Sequence, residues 1–173
     1  ILGLAFKDFI DDYLFSTATV LWALVFGAVL MIAADRVDAN RRRYKAETVD
    51  DVTYGQAFLV GLFQCLSLWP GFSRSGATIS GGVLLGLSHR AAADFTFIMA
   101  VPIMFGASAV SLLKNWDYMS FDMLPFFVVG FISAFVFAWL SIGFFLRIIS
   151  RVKLLPFAVY RILLAIVIWL IYF

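Results

Sequence analysis

Residues 54–88 read YGQAFLVGLFQCLSLWPGFSRSGATISGGVLLGLS and contain two apolar segments separated by a short loop. Each segment, about residues 54–69 and 76–87, is shorter than the roughly 20 residues that a helix needs to cross the hydrocarbon core of a bilayer. Pro70 cannot donate a backbone hydrogen bond and disfavours helix in the residue before it, and Gly71 permits turn geometry. The stretch therefore predicts two short helices joined by a loop.

The composition indicates a membrane protein. Hydrophobic residues make up 64% of the chain and charged residues only 14%, whereas soluble domains are about half apolar and a quarter charged. A single cysteine excludes a disulfide framework and a cysteine-based zinc site. No alternation typical of barrel strands is found. We predict an all-α, polytopic membrane protein that forms one domain over residues 1–173, with spans at residues 17–34, 91–113, 123–146 and 154–173.

The basic residues predict the topology. Lys and Arg concentrate in the connectors at residues 35–53 and 147–153, which places both in the cytoplasm. The connectors at residues 7–16 and 114–122 have one Lys each and several Asp, which suits the outside. Both ends of residues 54–88 then face the cytoplasm, which predicts a re-entrant hairpin with its tip at depth. Nucleic-acid binding by the basic run at residues 41–43 is an alternative that four apolar spans argue against.

Arg74 is the most informative residue, because an arginine in the membrane costs about 2.5–3.5 kcal/mol on insertion scales and no acid lies within ten residues of it. Ser73, Ser75 and Thr78 supply hydroxyl groups around it. A helix that starts near Gly76 would direct its free N–H groups and positive dipole end to the same place. These donors predict an oxyanion site, and a structural ion pair of Arg74 with a distant acid is the alternative.

The remaining polar residues have structural interpretations. Arg90 and Asp94 are four residues apart on one helix and are expected to form an ion pair. Arg161 is expected to be structural, with snorkelling to the lipid headgroups as the alternative. His89 is the only histidine, and we predict that it is a surface residue rather than a catalyst. Gln64 could donate or accept a hydrogen bond at the loop.

Small residues after the loop predict close helix packing, which explains Gly81, Gly82 and Gly86 without a further role.

Several phosphate chemistries are excluded. The sequence contains no G-x-x-x-x-G-K-[ST] loop, and the residue six positions after Cys65 is Gly71 rather than the arginine of a thiol phosphatase. It also contains no cluster of carboxylates for a metal.

The loop and its surroundings resemble a known family. The segment WPGFSRSGAT at residues 69–78 is similar to the PGxSRSxxT signature of undecaprenyl pyrophosphate phosphatases, the bacitracin-resistance family. Further similar segments cover most of the chain: AF at residues 57–58, GLFQC at 61–65, AVP at 100–102 and LPFAVYR at 155–161. The resemblance implies a fold of two inverted repeats, each with a re-entrant hairpin.

The resemblance also implies a function. Undecaprenyl pyrophosphate would be hydrolysed to the monophosphate at a site facing the periplasm of the bacterial inner membrane, which recycles the carrier lipid for peptidoglycan synthesis. Arg74 would grip the pyrophosphate, and a divalent cation such as Mg²⁺ or Ca²⁺ would be required. The partners are the lipid substrate and the membrane, with no nucleic acid; a homodimer is left open. The other site residues that we assign are Ser73, Ser75 and Thr78 as catalytic or binding hydroxyls, and Gly71, Gly76 and Gln64 for substrate binding.

One part of the family pattern is absent. The glutamate-rich ExxxE segment and the Ser-Ser-Thr-Gly-His stretch do not occur here, and we expect them upstream of Ile1, because the sequence has no initiator Met. The chain would then supply half of an active site and be inactive alone. The attacking nucleophile, a serine or a water, stays open. A polyprenyl-phosphate transporter or flippase is the alternative function, since broken helices also occur in transporters.

Overall fold

The computed structural model describes residues 13–41, 44–116 and 123–172, and six helices account for most of them. Between the described residues no β-strand forms, only an isolated bridge between Ala46 and Leu87. The helices are α1 (Thr17–Ala39), α2 (Tyr54–Cys65), α3 (Arg74–Leu84), α4 (His89–Lys114), α5 (Leu124–Val152) and α6 (Leu155–Tyr172). The all-α prediction is confirmed.

Four of these helices, α1, α4, α5 and α6, are long and apolar enough to cross a membrane, which confirms the predicted number of spans. Their ends differ from the prediction. Helix α1 continues to Ala39 and α5 to Val152, so residues 35–39 and 147–152 are helical rather than connecting. Residues 1–12 and 117–122, which include most of the two predicted outside connectors, lie outside the described residues, as do Arg42 and Arg43.

Helix α3 lies at the centre of the fold, packed against α1, α2 and α4. Every residue from Gly76 to Val83 is buried. Small residues make this possible: a Cβ at Gly81 would collide with the ring of Phe63, and one at Gly82 would come within 2.9 Å of Ala92 Cβ. The packing interpretation thus holds for these two glycines. Gly86 is closely packed as well, since a Cβ there would lie 3.0 Å from the side chains of Arg41 and Lys45, and it also turns the chain after α3 with a φ of +105°.

The short helices α2 and α3 form a pair that begins and ends at the same end of the molecule. Thr53 caps α2, accepting a hydrogen bond from the Gln56 amide. The Gln56 side chain in turn donates to the Leu85 carbonyl, just after α3, over 3.3 Å. The predicted hairpin of two short helices is therefore present. Its depth in a bilayer and the inverted-repeat relationship stay predictions.

A layer of charged side chains joins the ends of α1, α4 and α5; we call Asp35, Asp38, His89 and Lys153 the polar layer. His89 Nε2 lies 2.7 Å from Asp35 Oδ1, and Lys153 Nζ donates to Asp38 Oδ2 over 2.7 Å. Asp35 also accepts hydrogen bonds from the first amides of α6, which continues the layer to a fourth helix. These contacts show that the two basic connectors, at residues 35–53 and 147–153, lie at the same end of the molecule.

The predicted surface position of His89 is wrong. Its side chain is only 5% exposed, because the carboxylates of Asp35 and Asp38 on α1 face it. The predicted pair of Arg90 and Asp94 is confirmed, with Nε and Oδ2 2.9 Å apart.

Alkaline pH is expected to weaken the fold through the polar layer. The hydrogen bond to Asp38 raises the pKa of Lys153 above its ordinary 10.5. Burial, and then a hydrogen bond to Asp38, raise the pKa of Tyr44 above its ordinary 10.0. A pKa that is higher in the folded state adds stability below the ordinary pKa and loses it as pH rises through the folded value. Thermal unfolding in detergent should therefore shift to lower temperature above about pH 10.

The matched variants for this prediction are Lys153→Met and Lys114→Met, since Lys114 is exposed at the end of α4. Lys153→Met should have a lower melting temperature at pH 8 and a flatter alkaline decline, whereas Lys114→Met should follow the wild-type curve. Equal curves for the wild type and Lys153→Met would contradict the assignment.

Candidate anion-binding site

The loop between α2 and α3 has a tightly constrained backbone. After the turn at Leu66–Leu68 the chain passes through Trp69 and Pro70 to Gly71, which has a φ of +93°. A Cβ at Gly71 would also lie 2.8 Å from the Val20 carbonyl oxygen on α1. Both the backbone conformation and the close approach to α1 require glycine here.

Ser73 is the N-cap of α3. Its Oγ accepts a hydrogen bond from the Gly76 amide over 3.2 Å, and its φ is +72°. A positive φ is uncommon for a residue with a side chain and often marks a functional site. The helix starts at Arg74, two residues before the predicted start. The first amides of α3 have no acceptor within the helix, so the positive end of the helix faces the loop.

Arg161 holds the loop from α6. Its guanidinium donates to the carbonyls of Phe72 and Gly71, each over 2.6 Å, and to the carbonyl of Ala23 on α1 over 3.2 Å. The side chain is 5% exposed. The structural interpretation of Arg161 is therefore confirmed over the snorkelling alternative, and its partners are backbone oxygens rather than an acid.

Three polar atoms on residues 64–74 are buried and have no hydrogen-bond partner in the described part of the chain: Arg74 Nη2, Trp69 Nε1 and Gln64 Oε1. A buried polar group that stays unpaired costs about 1–3 kcal/mol, so such groups in native proteins call for an explanation. Two of these three atoms are donors. This segment can thus donate further hydrogen bonds to a bound group that is rich in acceptor oxygens.

A cavity of about 430 Å³ adjoins the loop. Ser73, Ser75 and the backbone of Gly71 and Gly76 form its polar wall, with Arg161 beside them. The rest of the lining is mainly apolar side chains of α1, α5 and α6: Leu24, Met31, Phe145, Phe157, Tyr160 and Leu164 among them. The cavity therefore combines hydroxyl groups and a helix N-terminus with an apolar surface suited to hydrocarbon.

The predicted site residues do not all meet at this cavity. Ser73, Ser75, Gly71 and Gly76 line it, whereas Arg74 is not among its lining residues. Thr78 is fully buried, and its hydroxyl lies 3.0 Å from the Arg74 carbonyl and 3.0 Å from the Thr96 hydroxyl.

Thr78 therefore faces the packing around α3, and Gln64 is likewise not among the residues that line the cavity. The Gln64 side-chain oxygen makes no hydrogen bond to the loop. The assignment of Gln64 and Thr78 to the site stays a prediction.

The loop does not have the ligands of a divalent cation. Its groups are hydroxyls, amides and a guanidinium, whereas Mg²⁺ and Ca²⁺ prefer carboxylate and carbonyl oxygens. Within residues 13–41, 44–116 and 123–172 no group of three or more His, Cys, Asp or Glu side chains could hold a metal ion.

Fold and loop together define a polytopic helical membrane protein that presents hydrogen-bond donors to an apolar cavity. Comparison with known sequences narrows this class. The chain belongs to the bacitracin resistance protein BacA family, whose sequence profile matches residues 1–167.

Similar proteins include those named undecaprenyl-diphosphatase from three bacteria. Over all 173 residues of this chain, the identity is 73% to the Anoxybacillus flavithermus protein and 69% to the protein of Geobacillus sp. strain WCH70. It is 61% to the Bacillus subtilis strain 168 protein over 171 residues, 99% of this chain. The chain spans 62%, 63% and 61% of the length of these relatives, respectively.

Gly27 on α1 leaves the space that the Arg161 guanidinium occupies. A Cβ at this position would lie 2.5 Å from Arg161 Nη2 and 2.7 Å from the Phe72 carbonyl oxygen. Gly27→Ala should therefore displace the guanidinium from the loop and destabilise the protein by about 1–3 kcal/mol, the usual range for an overpacked core. The measurement is thermal unfolding in detergent.

Gly143→Ala is the matched control, because apart from its chain neighbours and the nearby backbone of α5 no atom of the described residues lies within 4 Å of the Cβ that it would add. It should leave the melting temperature unchanged or raise it, since alanine favours helix over glycine by up to about 1 kcal/mol. A Gly27→Ala variant as stable as Gly143→Ala would rule out the tight fit around Arg161.

Two substitutions of Ser73 should give different melting temperatures, and the positive φ of this residue sets their order. Ser73→Ala loses the cap and keeps a Cβ in a strained conformation, whereas Ser73→Gly loses the cap but relieves the strain. Ser73→Gly should therefore melt at a higher temperature than Ser73→Ala, the reverse of the order in a helix interior. Equal or inverted melting temperatures would show that Ser73 is not strained.

Proposed function

We propose that this chain forms the diphosphate-binding part of an undecaprenyl-diphosphatase, which hydrolyses undecaprenyl pyrophosphate to undecaprenyl phosphate and phosphate. One observation carries the proposal: the loop places Ser73, Ser75 and the N-terminus of α3 against an apolar cavity. A lipid diphosphate has the matching chemistry, since its headgroup consists of acceptor oxygens and its tail is hydrocarbon. The relatives that carry this enzyme name support the choice.

In this proposal the loop binds the headgroup and stabilises the charge that develops during phosphoryl transfer. In the hydrolysis a water-derived oxygen ends on the terminal phosphorus, the bond from that phosphorus to the bridging oxygen breaks, and the bridging oxygen leaves with the undecaprenyl phosphate. Hydrogen-bond donors lower the barrier most when they already point at the transferred group before the reaction. The first amides of a helix are fixed in this way. Ser73, Ser75 and Arg74 would supply further donors, with Arg74 swinging its free Nη2 toward the phosphate.

The proposal includes a bacterial inner-membrane location, with the site open to the periplasm, and a requirement for Mg²⁺ or Ca²⁺. The four apolar helices support a membrane location. The cation rests on the family resemblance alone, and the loop residues do not fit as its ligands. No step assigned to these residues depends on it.

Replacing Arg74 by lysine tests the proposal in a protein of the relatives' full length that carries this sequence. The lysine keeps the charge but loses the fork of donors, so phosphate release from undecaprenyl pyrophosphate in liposomes should fall by about tenfold or more. Arg90→Lys is the matched control, because Arg90 is exposed and paired with Asp94. Turnover of Arg74→Lys equal to that of Arg90→Lys would contradict the role of Arg74.

The same liposomes separate an enzyme from a transporter. An undecaprenyl-diphosphatase releases inorganic phosphate whether or not the lipid changes leaflet. Lipid movement without phosphate release would reject the proposed activity and favour the transporter alternative.

A further inference from the structure

The Arg161 guanidinium is a buried cation with no acidic partner among the residues that the structure describes. It lies on α6, which is apolar enough to cross a membrane, and it is 5% exposed. Its Nη atoms bind only backbone carbonyls, and its buried Nε has no partner in the described part of the chain. Buried cations inside membrane helices are rare and are associated with function.

The hydrogen bonds of Arg161 fix the orientation of peptide groups in the loop. The Phe72 carbonyl points at the guanidinium, and all described peptide bonds here are trans. In a planar trans peptide the N–H points opposite to the C=O, so the Ser73 N–H is directed away from Arg161. Arg161 thus sets the direction of the donor group that precedes the first amides of α3.

The charge of Arg161 acts on the same cavity. Arg161 lines it beside Ser73 and Ser75, and Arg74 lies next to both serines in the chain. Two guanidinium groups therefore flank the loop, with no carboxylate bonded to either among the described residues. The Nη groups of Arg161 are occupied by carbonyls, so its effect on a bound anion would be exerted through the loop and through its electric field.

We propose that Arg161 is a positioning residue of the diphosphate site and that its uncompensated charge makes the site prefer a diphosphate headgroup over a monophosphate. This rests on the proposed function. A diphosphate carries more negative charge than a monophosphate, so it gains more from a nearby fixed cation. The site would then release its product more readily than its substrate.

Binding without turnover tests this in the full-length protein in detergent, with farnesyl methylenediphosphonate and farnesyl phosphate as probes. Arg161→Gln removes the charge but retains a donor, so the preference for the diphosphonate should fall by about tenfold. Arg161→Lys retains the charge but cannot reach two carbonyls as a fork; its preference should stay within about threefold of the wild type while hydrolysis falls about tenfold. Arg90→Gln is the control and should change neither quantity.

The outcomes separate the two proposals. A wild-type protein that binds neither probe and hydrolyses no lipid diphosphate would reject the proposed function itself. A wild type that prefers the diphosphonate, with Arg161→Gln retaining that preference within about twofold, would reject the role of Arg161 alone.

The positioning role has a second test that does not depend on the folding of Arg161→Gln, because Gly27→Ala displaces the guanidinium while the charge remains. Gly27→Ala should reproduce the Arg161→Lys result, with reduced hydrolysis and a retained preference. Wild-type hydrolysis by both Gly27→Ala and Arg161→Lys would overturn the positioning role.

Discussion

The bonds from the Arg161 guanidinium to three backbone carbonyls are the interaction on which the arrangement of the loop depends. The contact pairs two kinds of group, a guanidinium and loop carbonyls, that would each be unfavourable if buried without a hydrogen-bond partner. A cation buried on an apolar helix needs acceptors, and a non-helical loop among helices has carbonyls that need donors. Gly27 provides the room for this contact. Because one of the carbonyls belongs to Ala23, the same guanidinium also ties α6 and the loop to α1.

The small residues of α3 are the second requirement. A short helix can lie at the centre of the bundle only when its neighbours approach closely on several sides, and Gly81 and Gly82 permit this against Phe63 and Ala92. At the far end of α3 the Arg41 side chain donates to the Val83 carbonyl over 3.0 Å. Packing thus fixes the body of α3, while its N-terminus, Ser73 and Ser75 stay accessible to the cavity.

Hydropathy, segment length and turn residues predicted the four spans and the pair of short helices, because these features are local. The helix ends were harder. Helix α1 continues past residue 34 because Asp35 pairs with residues 54 and about 120 positions away, which no local pattern reveals. His89 was misplaced at the surface for the same reason. The partners of Arg161 were beyond prediction on different grounds: backbone carbonyls occur at every residue and leave no signature in the sequence.

The long separation between the loop and its anchor has a consequence for biogenesis. Arg161 follows Phe72 by 89 residues and Gly71 by 90. A ribosome that adds about 5–20 residues per second needs roughly 5–20 s to make that interval. During this time the hairpin has left the ribosome but has no α6 to hold it. The loop can therefore reach its final conformation only after the last described helix has been inserted, and any factor that stabilises unfinished membrane proteins would act on the hairpin in that interval.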